Sequence, residues 1–343
     1  MKLPKGKKEN QEVVTVTEPE KLESLDISDL AGVGGVTEGK LKEAGCDTVE
    51  MLAVALVADL KELGIEETQA RKIIDAARQH VKRVGVGFRT ADELLKEHAT
   101  LFHLKSRIPS FDEMLDGGLE SRTVTIIHGK YAAGKSNFCH WLAACALTDP
   151  ALSDSGIMYI DTENTFRPER LAQLLKTLGG DPATTLSRVI QAEAQNSAHQ
   201  ILIVDHAGKI IKDKNIRVLI LDSLTAHFRS EYVGREMLAR RQQSLNNHLQ
   251  HISQLTRMFG LVTLVTTQEI DIPQQGYMGG TESRGAGGNV VFHRPVAIIQ
   301  IWKPEGMNEK RFVTLEKHPA LPQKKIILRL NEDGFSEFEN PKE

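Results

Sequence analysis

Gly129-Lys130-Tyr131-Ala132-Ala133-Gly134-Lys135-Ser136 fits the pattern G-x-x-x-x-G-K-[ST]. It directly follows the apolar run Val124-Thr125-Ile126-Ile127, which reads as a strand, and it precedes residues 137–147, which contain neither Gly nor Pro and can open a helix. Strand, glycine loop and helix in that order turn the pattern into a phosphate site, a context that a chance glycine-rich turn lacks. The glycines let backbone N–H groups turn inward on phosphate oxygens, and the helix N-terminus adds its partial positive charge. Gly129, Ala132, Ala133, Gly134 and Asn137 are expected to line the nucleotide. Lys135 would neutralise the β- and γ-phosphates, and the Ser136 hydroxyl would ligate magnesium. ATP and Mg2+ are therefore the expected cofactors.

A chain of 343 residues suits two or three domains, and 40% hydrophobic with 26% charged residues suits a large soluble core. No run approaches the ~20 apolar residues that span a bilayer, and the Lys- and Glu-rich N-terminus does not resemble a signal peptide. Cys46, Cys139 and Cys145 have no metal-ligand spacing and read as buried thiols in a reducing compartment, the cytoplasm or, in a eukaryote, the nucleus. The net charge of −3 means that any nucleic-acid site is a local patch. An aromatic content of 5% argues against a base-stacking sheet as the main binding surface.

Residues 1–25 are polar and read as a disordered tail. Residues 26–82 read as a small all-α unit, with apolar positions at helical spacing broken by Gly32, Gly34 and Gly64. Segments 30–45 and 60–77 share one plan of leucine, glycine turn and polar-started helix. This looks like tandem helix-hairpin-helix units, whose hairpin amides commonly meet nucleic-acid phosphates; a plain helical bundle is the competing reading. A linker follows over 83–97. From 98 to 343 strands alternate with helices, with strands expected at 124–128, 156–160, 218–221, 261–266, 296–302, 311–315 and 326–330. Helices are expected at 198–212 and 237–258. The fold class is α/β, a mainly parallel sheet with helices on both faces and an antiparallel extension at one edge.

Three of these strands end in polar residues suited to phosphate chemistry. Val218-Leu219-Ile220-Leu221 ends in Asp222, placed to orient the waters of a magnesium ion. Ile157-Met158-Tyr159-Ile160 leads into Asp161-Thr162-Glu163, a carboxylate able to polarise an attacking water. Residues 262–267 lead into Gln268, whose amide can sense a γ-phosphate. Each could be a satisfied strand-end polar residue; three converging on one phosphate loop make coincidence the poorer account.

Asp161-Thr-Glu-Asn-Thr-Phe-Arg-Pro-Glu-Arg170, Phe228-Arg-Ser-Glu-Tyr-Val-Gly-Arg235 and Arg241-Gln-Gln243 resemble the RadA-type recombinases, the archaeal and eukaryotic branch of the RecA superfamily. The similarity runs from about residue 27 to 335. It implies a RecA-like P-loop ATPase core behind a helix-hairpin-helix domain, in a DNA-dependent ATPase. Such a protein exchanges DNA strands and assembles as a homo-oligomeric helical filament on single-stranded DNA, with double-stranded DNA and recombination mediators as further partners. By position, the resemblance makes Glu163 the catalytic carboxylate, stacks Arg170 on adenine, and has Gln268 couple the γ-phosphate to the DNA loops. Gly287-Gly-Asn-Val-Val-Phe-His293 matches a family segment that sets His293 near the γ-phosphate across the subunit boundary.

The first DNA loop is expected over about 229–241, with Arg229, Arg235 and Arg241 bridging phosphates. The second, 269–288, holds six glycines and Arg284 as its one cation. Phe88-Arg-Thr-Ala91 matches the family's Phe-x-x-Ala plug, which seats Phe88 and Ala91 in a neighbouring protomer; the other reading packs Phe88 internally. Three positions depart from the family: Lys130 stands where relatives usually carry Glu, Thr267 where they carry Asn, and Lys317 where they carry an Asp that holds monovalent cations over the γ-phosphate. Lys317 is thus expected to bring a fixed positive charge to that phosphate. The alternative function is a recombinase paralogue that binds ATP and DNA as a repair mediator and exchanges no strands.

Overall fold

The structure is a computed structural model that describes residues 25–43, 46, 48–55, 57–84, 90–273, 281–285 and 294–338. The chain divides into two units, Met1–Phe88 and Arg89–Glu343. Residues 1–24 of the expected tail and Phe88 lie outside the described residues, and so does His293.

In the first unit the helices Gly35–Glu43, Val49–Val54, Val57–Glu62 and Glu67–Val84 enclose Ile27, Leu41, Leu52, Leu60 and Ile73. The last helix repeats apolar residues at Ala70, Ile73, Ile74 and Ala77, a stripe that is fully buried. The hairpin glycines Gly32 (φ 98°) and Gly64 (φ 70°) adopt left-handed backbone that side chains rarely tolerate. The two hairpins cap each other. Gln69 Nε2 donates to the Gly32 carbonyl at 2.8 Å, and Lys40 Nζ donates to the Gly64 carbonyl at 2.9 Å. Cys46 is only half-buried, whereas Cys139 and Cys145 are buried as expected.

The second unit holds a short antiparallel pair, β1 (His103–Leu104) and β2 (Leu119–Glu120). Its large sheet comprises β3 (Thr123–Gly129), β4 (Gly156–Asp161), β5 (Val189–Glu193), β6 (Ile216–Asp222), β7 (Val262–Pro273), β8 (Thr281–Gly285), β9 (Ala297–Trp302), β10 (Lys310–Lys317), β11 (Lys324–Asn331) and β12 (Gly334–Glu337). The order is β12-β11-β10-β9-β3-β7-β6-β4-β5, with β8 paired to β7. Neighbours from β9 to β5 run parallel, and β9 to β12 form an antiparallel meander.

Helices cover both faces because the central strands are apolar on both. Ile127, Val262 and Leu264 face the helix Lys135–Leu147 in one core, while Ile126, Leu219 and Val265 face the helix Leu238–Phe259 in the other. Each such Leu, Ile or Val contributes ~1.5–3 kcal/mol over an exposed one.

Two expectations need correction. The helix expected over 198–212 is two, Ser197–Asp205 and Ala207–Asp213, broken at His206, whose ring bonds the Leu202 carbonyl. The expected second loop is partly a hairpin, since β7 runs on to Pro273 and pairs antiparallel with β8, Glu269 opposite Gly285. Arg284 therefore stands on a strand.

Candidate nucleotide and nucleic-acid site

Gly129 ends β3, opposite Gln268 of β7 in the parallel register. A Cβ on Gly129 would lie 2.1 Å from the Ile301 carbonyl oxygen of β9, so no other residue lets the loop leave the sheet here. The loop then turns through Ala132 at φ 59° and Gly134 at φ 106°. Left-handed backbone at Ala132 costs on the order of 1–2 kcal/mol, and such strain tends to mark a functional site. No side chain caps the helix Lys135–Leu147, so its N-terminal amides point into the turn. Lys135 Nζ donates to the carbonyls of Gly129 (2.9 Å) and Lys130 (3.0 Å), which folds the ammonium back over the loop. Burial pushes that ammonium below its usual value, against the pull of Asp222, Glu163 and Glu269. Strained turn, open helix end and half-buried cation form a cradle that fits a polyphosphate.

The carboxylates gather beside it. Asp161 and Asp222 face each other across β4 and β6. Asp161 accepts from the amides of Glu163 (3.1 Å) and Phe166 (2.8 Å), a turn that lifts Glu163 off the strand end. Asp222 accepts from Tyr159 OH (3.1 Å) and the Thr266 hydroxyl. Thr162 Oγ1 accepts from Ser223 N (2.7 Å) and donates to its carbonyl (2.8 Å), which staples the two strand ends.

Glu163 is exposed, and its carboxylate accepts from Ser223 Oγ (2.7 Å) and from Gln268 Nε2 (3.1 and 3.2 Å). Gln268 Oε1 in turn accepts from Arg229 Nη1 at 2.8 Å. One polar chain thus runs from the carboxylate beside the phosphate loop to an arginine of the expected first DNA loop.

Other expected residues lie further out. Arg229 and Arg241 sit on the helices Ala226–Glu231 and Leu238–Phe259, and Arg235 is exposed between them. A groove of about 590 Å³ lined by Tyr232, Met237, Arg240 and Gln243 opens there. Glu231 is turned away from these cations onto the start of the helix Ser197–Asp205, where the Ser197 amide donates to it at 2.7 Å. Arg170 donates to the carbonyls of Asn331 (3.2 Å) and Glu332 in the β11–β12 turn. Lys317 Nζ donates to the Pro295 carbonyl at 3.3 Å. Ala91 opens the helix Ala91–His98, which Thr90 and Glu93 cap reciprocally.

Three supports escaped the sequence reading. His140, one helical turn past Ser136, has one ring nitrogen 2.7 Å from the Ser136 carbonyl and accepts from Arg167 N at 3.1 Å, tying the loop helix to the Glu163 turn. Burial keeps it below the usual histidine value, which suits a ring with one donor and one acceptor nitrogen. Arg311 on β10 is buried and donates through Nε to the Ala133 carbonyl at 2.8 Å. His128, directly before Gly129, lies between Glu269 and Glu316. A histidine or arginine beside a strand carries no motif, so only the tertiary structure reveals these.

A family model described as Rad51 matches residues 97–338, and one described as SAM-like helix-hairpin-helix tandem matches residues 20–79. A protein of Ignicoccus hospitalis named DNA repair and recombination protein RadA is 36% identical over 321 residues, covering 92% of this chain and 96% of its own. Among the described residues no helix is long and apolar enough to cross a membrane.

Proposed function

The chain belongs to the Rad51 family of RecA-superfamily recombinases, and from that premise we propose that it is an ATP- and magnesium-dependent strand-exchange protein that polymerises on single-stranded DNA. Its class of activity, DNA-dependent ATP hydrolysis in homologous recombination, is that of the family. The finer reading rests above all on the chain Glu163–Gln268–Arg229 beside the phosphate loop.

Lys135, the Ser136 hydroxyl and the loop amides hold the triphosphate of ATP. Ser136 and Asp222 are the residues that would hold Mg2+, which when bound neutralises phosphate charge. Glu163 takes the proton of the attacking water, and the Ser223 and Gln268 donors hold its carboxylate in place until then. Gln268 exchanges the Glu163 contact for one to the γ-phosphate. Arg229, bonded to the same amide, carries that change to the DNA side. Arg235, Arg241 and Arg284 neutralise DNA phosphates. Arg170 stacks on adenine, and His293 and Lys317 meet the γ-phosphate from the neighbouring protomer. Phe88 and Ala91 hook one protomer to the next. Double-stranded DNA is the second substrate, and mediator proteins are further partners.

Electron microscopy with ATP, Mg2+ and single-stranded DNA, beside a strand-exchange assay on the same sample, tests the proposal. Helical filaments with exchanged product are expected. Closed rings would refute it, and filaments without exchange would favour a mediator.

A further inference from the structure

His128 is 3% exposed and sits on β3 directly before the phosphate loop. Its Nδ1 lies 2.9 Å from Oε1 of Glu269, whose side chain is 2% exposed, and its Nε2 lies 2.7 Å from Oε2 of Glu316, which is 39% exposed. Gln300 of β9 adds a donor to Glu269 at 2.9 Å. Glu269 directly follows Gln268, and Glu316 directly precedes Lys317. The ladder between β10 and β9 shifts register between Leu315 and Lys317, so Glu316 is the extra residue of a bulge that turns its carboxylate onto the ring. The imidazole therefore ties together three strands, each of which carries its candidate nucleotide group one residue away.

A carboxylate as buried as Glu269 must be paired. His128 supplies the positive charge and Gln300 a neutral donor. The charged groups facing this cluster are Glu269 from β7, Glu316 from β10 and Lys135 from the phosphate loop, which feels Glu269.

We propose that His128, as an imidazolium clamped by Glu269 and Glu316, is a positioning residue that holds Gln268 in register with the phosphate loop and with the Lys317 strand. It touches neither phosphate nor water; it sets where the γ-phosphate sensor stands. The inference rests on the assignment of Gln268 as that sensor. Burial alone would favour the neutral ring, but the two carboxylates override it and raise His128 to about 9. The clamp is therefore closed through neutral pH and opens as pH rises through that value.

The test is DNA-stimulated ATP hydrolysis from pH 7 to 10, with melting temperature, on the full-length protein and on His128→Gln, Glu316→Gln and Gln268→Ala. His128→Gln is expected to lower kcat about tenfold, since a sensor misplaced by a fraction of an ångström loses alignment, while KM for ATP moves less than about threefold. The parental rate should fall as pH passes about 9, and His128→Gln should lack that limb. Glu316→Gln alters a half-exposed group and so spares the fold. By removing one of the anions that hold the proton it should move the limb to lower pH. A limb that persists in His128→Gln or stays put in Glu316→Gln would overturn the proposal. So would a fall in kcat matched by a collapse in melting temperature and a rise in KM. Gln268→Ala separates the two failures. If it hydrolyses ATP at the parental rate, the sensor assignment falls; if it abolishes stimulation while His128→Gln does not, only the clamp falls.

Discussion

The two halves of the large sheet feed the candidate site by different routes. From β3 to β5 the strands are parallel, so every C-terminal end reaches one edge. The phosphate loop, Asp161 and Asp222 stand there at strand ends, and Gln268 stands level with them at the last parallel pair of β3 and β7. From β9 to β12 the strands alternate in direction, and no run of strand ends can converge. This half contributes through a bulge at Glu316, a buried arginine at Arg311 and the turn carbonyls at Asn331 and Glu332. Parallel pairing thus concentrates chemistry at predictable positions, while the meander supports that chemistry from positions set by local irregularity.

If that division holds, damage to the parallel half should be the more severe. Lys135→Ala removes the half-buried ammonium of the cradle, which lies within the pull of Asp222 and Glu163. ATP hydrolysis and strand exchange should fall about a hundredfold or more, the scale of losing a preorganised group aimed at developing charge. Measured by steady-state hydrolysis, near-parental turnover would show that the cradle does not bind the reacting phosphates.

A change in the meander should modulate activity. If Lys317 replaces a cation-holding Asp, as the sequence resemblance implies, its fixed ammonium would make a recruited potassium ion redundant. The parental rate should therefore be alike in potassium and sodium at fixed ionic strength. Lys317→Asp should raise the ratio of the two rates from about one to about three or more, by restoring an anion that needs a counter-ion. Strong potassium stimulation of the parental protein would leave Lys317 as a surface lysine.

The same division explains what was legible in the sequence. Buried parallel strands announce themselves as unbroken apolar runs, and the runs at 124–128, 156–160 and 218–221 match β3, β4 and β6 to within about two residues at each end, whereas β7 continues to Pro273, well past the run at 261–266. The edge strand β5 was missed because it is half-exposed, with Gln191 and Glu193 interrupting its apolar side. β12 was missed because four residues beginning with a glycine give no period. At the site, Lys135, Asp222, Glu163 and Gln268 follow from motif and strand end. The Arg229–Gln268 bond does not, since the residues are 39 apart and nothing local ties an arginine on one helix to an amide on β7. His128 enters the sequence reading only as part of the strand expected at 124–128, because its meaning depends on Glu269 and Glu316, which reach it from other strands.

The central claim is that the catalytic edge senses DNA through Arg229, Gln268 and Glu163. Its most direct test is the ratio of ATP hydrolysis with single-stranded DNA to that without, in the parental protein and in Arg229→Ala, with DNA affinity measured alongside. The account predicts that the ratio falls about tenfold, because the arginine no longer holds the Gln268 amide, while DNA affinity drops only by the few-fold expected for one phosphate contact. A parental ratio in Arg229→Ala, at equal occupancy of DNA, would contradict it.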